Sequence, residues 1–171
     1  LHPIVEVLGA GVAVTAFLVA PWPRSVFLAV LGLLLLTAAV IDLKTRRLPD
    51  VLTVAIAVVA AALSALNGRS SLIPGVVATV ITFAVLEGVR RLFANALKRP
   101  GLGFGDVKLF AALALWLGPL TPWAVVVGSA IGLGIVAVTR PKDRTIAFGP
   151  PLTVGAFGVG LLPEVLPWLR F

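Results

Sequence analysis

The sequence predicts an all-α fold, a polytopic transmembrane helix bundle of about seven membrane segments forming one membrane-embedded domain over residues 1–171, and three observations carry that prediction. Hydrophobic residues make up 60% of the chain and charged ones only 12%, a balance that a water-soluble domain of this size could not keep exposed. The apolar residues fall into seven runs, 4–20, 25–41, 51–66, 72–89, 107–117, 123–138 and 151–166. The basic residues gather in alternate connections between those runs, the pattern of a chain that crosses a bilayer repeatedly.

Each run has its own local logic. The first lacks the basic n-region of a signal peptide and further spans follow it, so it reads as a retained helix. The chain lacks methionine and starts with Leu1, which suggests that its true start is missing or was processed. The second run ends against Asp42. The third follows Leu48-Pro49-Asp50, where Asp is well suited to cap free helical N–H groups. Near the end of the fourth, Glu87 precedes Arg90 and Arg91 by three and four residues, the spacing of helical ion pairs. The fifth run falls well short of the ~20 apolar residues a crossing needs, so it is expected to be short, tilted or surrounded by other helices. Before it lies the longest polar connection, 90–106, ending in Pro100-Gly101-Leu102-Gly103-Phe104-Gly105, which cannot hold a regular helix. The sixth carries small residues from Gly128 to Gly134 that allow close helix packing. Pro150 and Pro151 open the seventh, an ordinary place for proline.

The formal charge of +7 would suggest nucleic acid in a soluble protein, but its distribution argues otherwise. Lys44, Arg46, Arg47, Arg90, Arg91, Lys98, Arg99, Lys108, Arg140, Lys142 and Arg144 all map to one side, leaving Arg24, Arg69 and Arg170 opposite. The basic excess is therefore a topology signal: the connections after runs two, four and six, and the N-terminus, are expected in the cytoplasm. No nucleic-acid partner is expected. Cysteine is absent and His2 is the sole histidine, which removes disulfides, thiolate zinc sites and the His-Glu-x-x-His protease helix. A serine protease would need a base beside its nucleophile, and neither the terminal His2 nor the boundary lysines supply one.

Two carboxylates resist assignment to an ordinary membrane surface. Asp42 lies in Val40-Ile41-Asp42-Leu43, at a helix C-terminus where carbonyl dipoles disfavour a carboxylate. Asp106, in Gly103-Phe104-Gly105-Asp106-Val107, precedes an apolar run and is placed to cap it. Alone, Asp42 could be an interfacial residue offset by nearby cations and Asp106 a plain cap. Together they form the minimum equipment for acid/base proteolysis, with opposite helix ends predicting that Asp42 holds a shared proton and Asp106 the charge. Gly103 and Gly105 would let backbone bend beside the carboxylate and an extended substrate come close.

Ile41-Asp42-Leu43-Lys44-Thr45-Arg46-Arg47-Leu48-Pro49-Asp50-Val51-Leu52-Thr53, then Gly101-Leu102-Gly103-Phe104-Gly105-Asp106-Val107-Lys108-Leu109, then Ile146-Ala147-Phe148-Gly149-Pro150-Pro151 stand in the order of three family motifs. With them, the chain resembles the type IV prepilin peptidases, membrane aspartic proteases of the GxGD type, from the second run onward. The resemblance implies that Asp42 and Asp106 are the catalytic aspartates. It implies substrate-binding or loop-shaping roles for Gly103, Gly105, Lys108, Pro49, Asp50, Phe148, Gly149 and Pro150. The activity implied is endoproteolytic removal of the basic leader from type IV prepilin-like substrates, at the cytoplasmic side of the inner membrane. Neither a metal nor an organic cofactor is implied, and the partners are prepilin-like proteins and the lipid bilayer. Bifunctional members carry an N-terminal region, often with a four-cysteine zinc site, associated with methylating the new N-terminus. Its absence here implies a short form with peptidase activity alone. Pro100 stands where an acidic residue is frequent, and Ala147 where proline is usual. Two rival readings are a proton-coupled transporter, in which the same aspartates relay protons, and an inactive pilin-binding homologue.

Overall fold

A computed structural model describes residues 2–97, 103–139 and 149–166. Among the described residues seven α-helices follow one another: α1 (His2–Val19), α2 (Arg24–Thr45), α3 (Asp50–Leu66), α4 (Arg69–Leu97), α5 (Phe104–Leu117), α6 (Thr121–Thr139) and α7 (Gly149–Val165), with one 3-10 turn at Gly118–Leu120. No strand occurs among the described residues. The all-α bundle expected from the sequence is therefore the observed architecture. Among the described residues three stretches, Arg24–Thr45, Ser71–Ala96 and Phe104–Ile135, are long and apolar enough to cross a membrane, while Pro3–Val19 and Asp50–Leu66 are shorter apolar helices.

The helix ends follow from local chemistry. α2 stops where Arg46 turns into the left-handed region at φ 53°, and the Arg46 N–H donates to the Asp42 carbonyl at 2.8 Å. That bond satisfies one of the carbonyls a helix leaves unpaired at its C-terminus. Pro49, extended at φ −67° and ψ 134°, then fixes the entry into α3. α4 continues past the expected limit at Val89, because Arg90 and Arg91 both pair with Glu87 and sustain a polar helical end.

α5 lies at the centre of the bundle. Its 14 residues rise only about 21 Å, short of a hydrocarbon core of ~30 Å. The shortfall is covered by neighbours: α5 packs on α3, α4, α6 and α7, and its Val107, Leu109, Leu113 and Ala114 are fully buried. This is the shielded short segment the sequence called for. Leu28 and Leu31 of α2 and Ile56 and Leu63 of α3 complete the core. Large apolar side chains on α1 and α4, among them Leu18, Ile73, Val80 and Leu92, point outward, as the lipid-facing side of a membrane protein must.

α6 and α7 approach closely through Gly128 and Gly155. A Cβ on Gly155 would stand 2.5 Å from the Gly128 nitrogen, so only small residues permit the crossing. Gly134, by contrast, has open space beside it, so the packing role of the small-residue run does not extend to that position. α2 runs antiparallel to α3, α5 and α7, which brings its end and the starts of those three helices to one end of the bundle.

Candidate active site

Asp42 occupies the last turn of α2 and Asp106 the first turn of α5. Both line one cavity of about 370 Å³, together with Arg46, Arg47, Leu48, Asp50, Gly103, Phe104, Gly105 and Lys108. The two carboxylates are close enough to interact electrostatically. Residues separated by more than sixty positions in sequence thus share one polar pocket at the end of an apolar bundle.

Each carboxylate is held by a backbone N–H. Asp42 is buried, at 7% exposure, and its Oδ2 accepts from the Gly149 N–H at 3.0 Å. Gly149 is the first residue of α7, where helical N–H groups lack intrahelical partners, so Asp42 ties itself to the positive end of that helix. Gly149 has room for nothing larger than hydrogen there: a Cβ would stand 2.5 Å from Oδ2. Asp106, half-buried, accepts from the Gly103 backbone. Gly103 is the N-cap of α5 and Asp106 the third residue inside, so the carboxylate reaches back over the first turn in the manner of a capping box.

One expectation is corrected by this geometry. Asp106 is not the N-cap residue itself. Asp42 and Asp106 do stand at opposite helix ends, as expected, and the start of α7 adds beside Asp42 a backbone N–H that the C-terminus of α2 lacks. The run of residues that follows α2 could not reveal a helix start 107 positions away.

The other expected residues divide into three groups. Gly103, Gly105, Asp50 and Lys108 line the cavity, and the Lys108 Nζ donates to Asp50 Oδ1 at 2.8 Å. Asp50 therefore spends its carboxylate on an ion pair between α3 and α5; the α3 N-cap is Pro49, with no side-chain cap. Pro49 and Pro150 lie beside the site without lining it: the Pro49 carbonyl accepts from Leu52 N–H, and the Pro150 carbonyl from the Thr153 hydroxyl at 2.9 Å. Phe148 lies outside the described residues, as do Ile146 and Ala147. Phe104, Leu48, Arg46 and Arg47 line the cavity without having been singled out as site residues. Their sequence signal was adjacency alone, each lying within the two short stretches that carry the aspartates.

A larger cavity, of about 550 Å³, opens at the opposite end beside Trp22, Arg24, Trp116 and Pro119. Leu117, the last residue of α5, is part of its lining, and the cavity contains neither Asp42 nor Asp106.

Helical bundle, apolar exterior and a paired-carboxylate pocket together define a polytopic membrane protein with an acidic site at one end. The sequence profile of the type IV leader peptidase family matches residues 29–138, and the chain belongs to that family. It is 35% identical over 161 residues to a type 4 prepilin-like proteins leader peptide-processing enzyme of Escherichia coli O78:H11 (strain H10407 / ETEC), covering 90% of this chain and 58% of that one. A prepilin leader peptidase/N-methyltransferase of Escherichia coli (strain K12) is 36% identical over 126 residues, covering 71% of this chain and 56% of the relative. The protein of the same description from Pectobacterium carotovorum subsp. carotovorum is 35% identical over 170 residues, 92% of this chain and 60% of the relative. The chain thus spans a little over half the length of these relatives. No solved structure matches it.

Proposed function

We propose that the protein is an aspartic endopeptidase that removes the leader peptide from type IV prepilin-like substrates, with Asp42 and Asp106 as its catalytic pair. The observation that carries this reading is the shared cavity: two carboxylates from distant stretches meet at one end of a membrane bundle, each oriented by a backbone N–H. The printed names of the relatives supply the substrate class. The charge pattern supports a site at the cytoplasmic face of the inner membrane, where a basic leader would stay while the apolar segment after it enters the bilayer.

In the mechanism this supports, one carboxylate is ionised and the other protonated. The ionised group takes a proton from a water whose oxygen attacks the scissile carbonyl carbon. The protonated group gives its proton to the carbonyl oxygen as charge develops there. Collapse of the tetrahedral intermediate then breaks the C–N bond: the departing nitrogen takes the proton held by the first carboxylate, and one hydroxyl of the intermediate returns its proton to the second, which restores the pair. The Gly149 and Gly103 N–H groups orient the acceptors throughout.

The test is leader release by the purified protein in detergent from a prepilin-like substrate, repeated with Asp42→Ala and Asp106→Ala. Release by the wild type and by neither variant supports the reading. Unchanged release by either variant removes that carboxylate from the mechanism, and binding without release by the wild type would identify a non-catalytic homologue.

A further inference from the structure

In Gly103-Phe104-Gly105-Asp106, the N-cap and first turn of α5 have one side chain before the aspartate by which they can be anchored. The glycines on either side contribute none and leave the backbone there with wide freedom in solution. Phe104, exposed over 44% of its surface, is not held by burial. It is held by charge. The Arg90 guanidinium carbon lies 5.3 Å from the centre of the Phe104 ring, and the Lys108 Nζ lies 4.7 Å from it. Both distances fall within the range over which a cation is drawn to the negative face of an aromatic ring.

Each cation is itself fixed. Arg90 donates from Nε to Glu87 Oε2 and from Nη2 to Glu87 Oε1, both at 2.7 Å, a two-pronged pairing within α4. Lys108 is held by Asp50 of α3. Carboxylates on α3 and α4 therefore position the cations, the cations position the ring, and the ring belongs to the turn that sets where Asp106 points.

We infer that Phe104 is a positioning residue for the Asp106 carboxylate, acting through the cation-held Gly103–Phe104–Gly105 turn. The inference rests on the peptidase reading. Phe104 is itself part of the cavity wall, so a leucine, which keeps apolar bulk there, removes the aromatic face and frees the turn while leaving both aspartates in place. The consequence falls on turnover, since catalysis is sensitive to displacements of a reacting group by a fraction of its contact distance.

The experiment measures steady-state leader release from a prepilin-like substrate by the full chain in detergent, for the wild type, Phe104→Leu, Phe104→Trp and Arg90→Gln, with thermal unfolding of each. Phe104→Leu is expected to lower kcat by about tenfold or more, with KM within about twofold and the unfolding temperature unchanged. Phe104→Trp, which keeps a π face, is expected to retain most of kcat, and Arg90→Gln to fall between. A Phe104→Leu variant with wild-type kcat overturns the inference. So does a loss carried wholly by KM, which would make Phe104 a substrate contact, or a Trp variant no better than Leu. Should Phe104→Leu fail to fold, wild-type kcat in Arg90→Gln overturns it instead. A wild type that releases no leader sinks the peptidase reading itself, an outcome distinct from an active wild type indifferent to Phe104.

Discussion

The Gly149 N–H donates to Asp42 Oδ2 at 3.0 Å, joining the first residue of α7 to the last turn of α2 across 107 positions of sequence. It gives the third sequence motif a physical task. A carboxylate at the C-terminus of its own helix faces unfavourable carbonyl dipoles, and the start of a second helix supplies the compensating N–H. Orientation of Asp42 therefore depends on how α7 is seated, not on α2 alone.

Substitution at Gly149 should separate activity from stability. A methyl group there would stand 2.5 Å from Oδ2, 3.0 Å from Cγ and 3.1 Å from Cβ of Asp42, so the carboxylate must move. Gly149→Ala is expected to lower kcat for leader release by about 100-fold, the scale of a misplaced catalytic group. Overpacking against a buried side chain costs about 1–3 kcal/mol, so the variant should fold and extract with a lowered unfolding midpoint, and the loss of kcat should persist at temperatures where it is fully folded. Wild-type turnover in Gly149→Ala would show that Asp42 needs no support from α7.

The proposed mechanism, in which the pair shares one proton, sets the pH profile of cleavage. Activity should fall on the acid side as the second carboxylate gains a proton and loses its ability to accept one from water. It should fall on the alkaline side as the last proton leaves and none remains for the carbonyl oxygen. The limbs belong to the pair rather than to either residue. Asp42→Asn and Asp106→Asn should each abolish release at every pH, and a wild-type profile with a single limb would argue against the shared proton.

Much of this site was legible in the sequence because its parts are local. Asp42 with Arg46 to Asp50, and Gly103 with Asp106 and Lys108, sit in two short stretches; the apolar runs placed both at helix ends, and the distribution of basic residues placed both on the same side. The length of the fifth run likewise foretold a short shielded α5. What could not be read are relationships between stretches: the Gly149 bond to Asp42, the Asp50 pair with Lys108 in place of a cap, and the cations of two helices around Phe104. Each depends on helix packing, which a one-dimensional pattern of apolar residues does not encode.

Gly105 tests the crowding between the two stretches. A Cβ there would lie 3.2 Å from Leu48 Cβ, tight enough that one backbone must yield by a few tenths of an ångström. Replacing glycine within α5 gains up to about 1 kcal/mol of helix propensity, and overpacking costs on the order of 1 kcal/mol. The two effects nearly cancel, so Gly105→Ala should leave the unfolding midpoint almost unchanged. Leader release should drop severalfold all the same, because the yielding segments carry Asp106 and the Leu48 turn. Gly105→Val, larger and β-branched, should lose both stability and activity. Full activity in the valine variant would mean that the approach of the two stretches is immaterial.

At the far end of the same helices, Arg24 of α2 pairs with Glu164 of α7 at 2.5 Å, with side-chain exposures of 12% and 0%. Neither residue stood out in the sequence, where Arg24 reads only as a charge on the sparsely basic side. A pair this buried has little net worth compared with apolar packing, yet loss of one member strands the other charge. Arg24→Leu or Glu164→Leu alone is expected to destabilise the bundle by about 3–5 kcal/mol, and the double replacement to recover most of that loss. Reversible unfolding in mixed detergent micelles, run as a double-mutant cycle, gives the coupling directly. If the single and double variants unfold at the same denaturant concentration as the wild type, the pair is not the clasp between α2 and α7 that its burial implies. If the double variant is stable but cleaves slowly, the far-end pairing also helps seat Gly149 against Asp42.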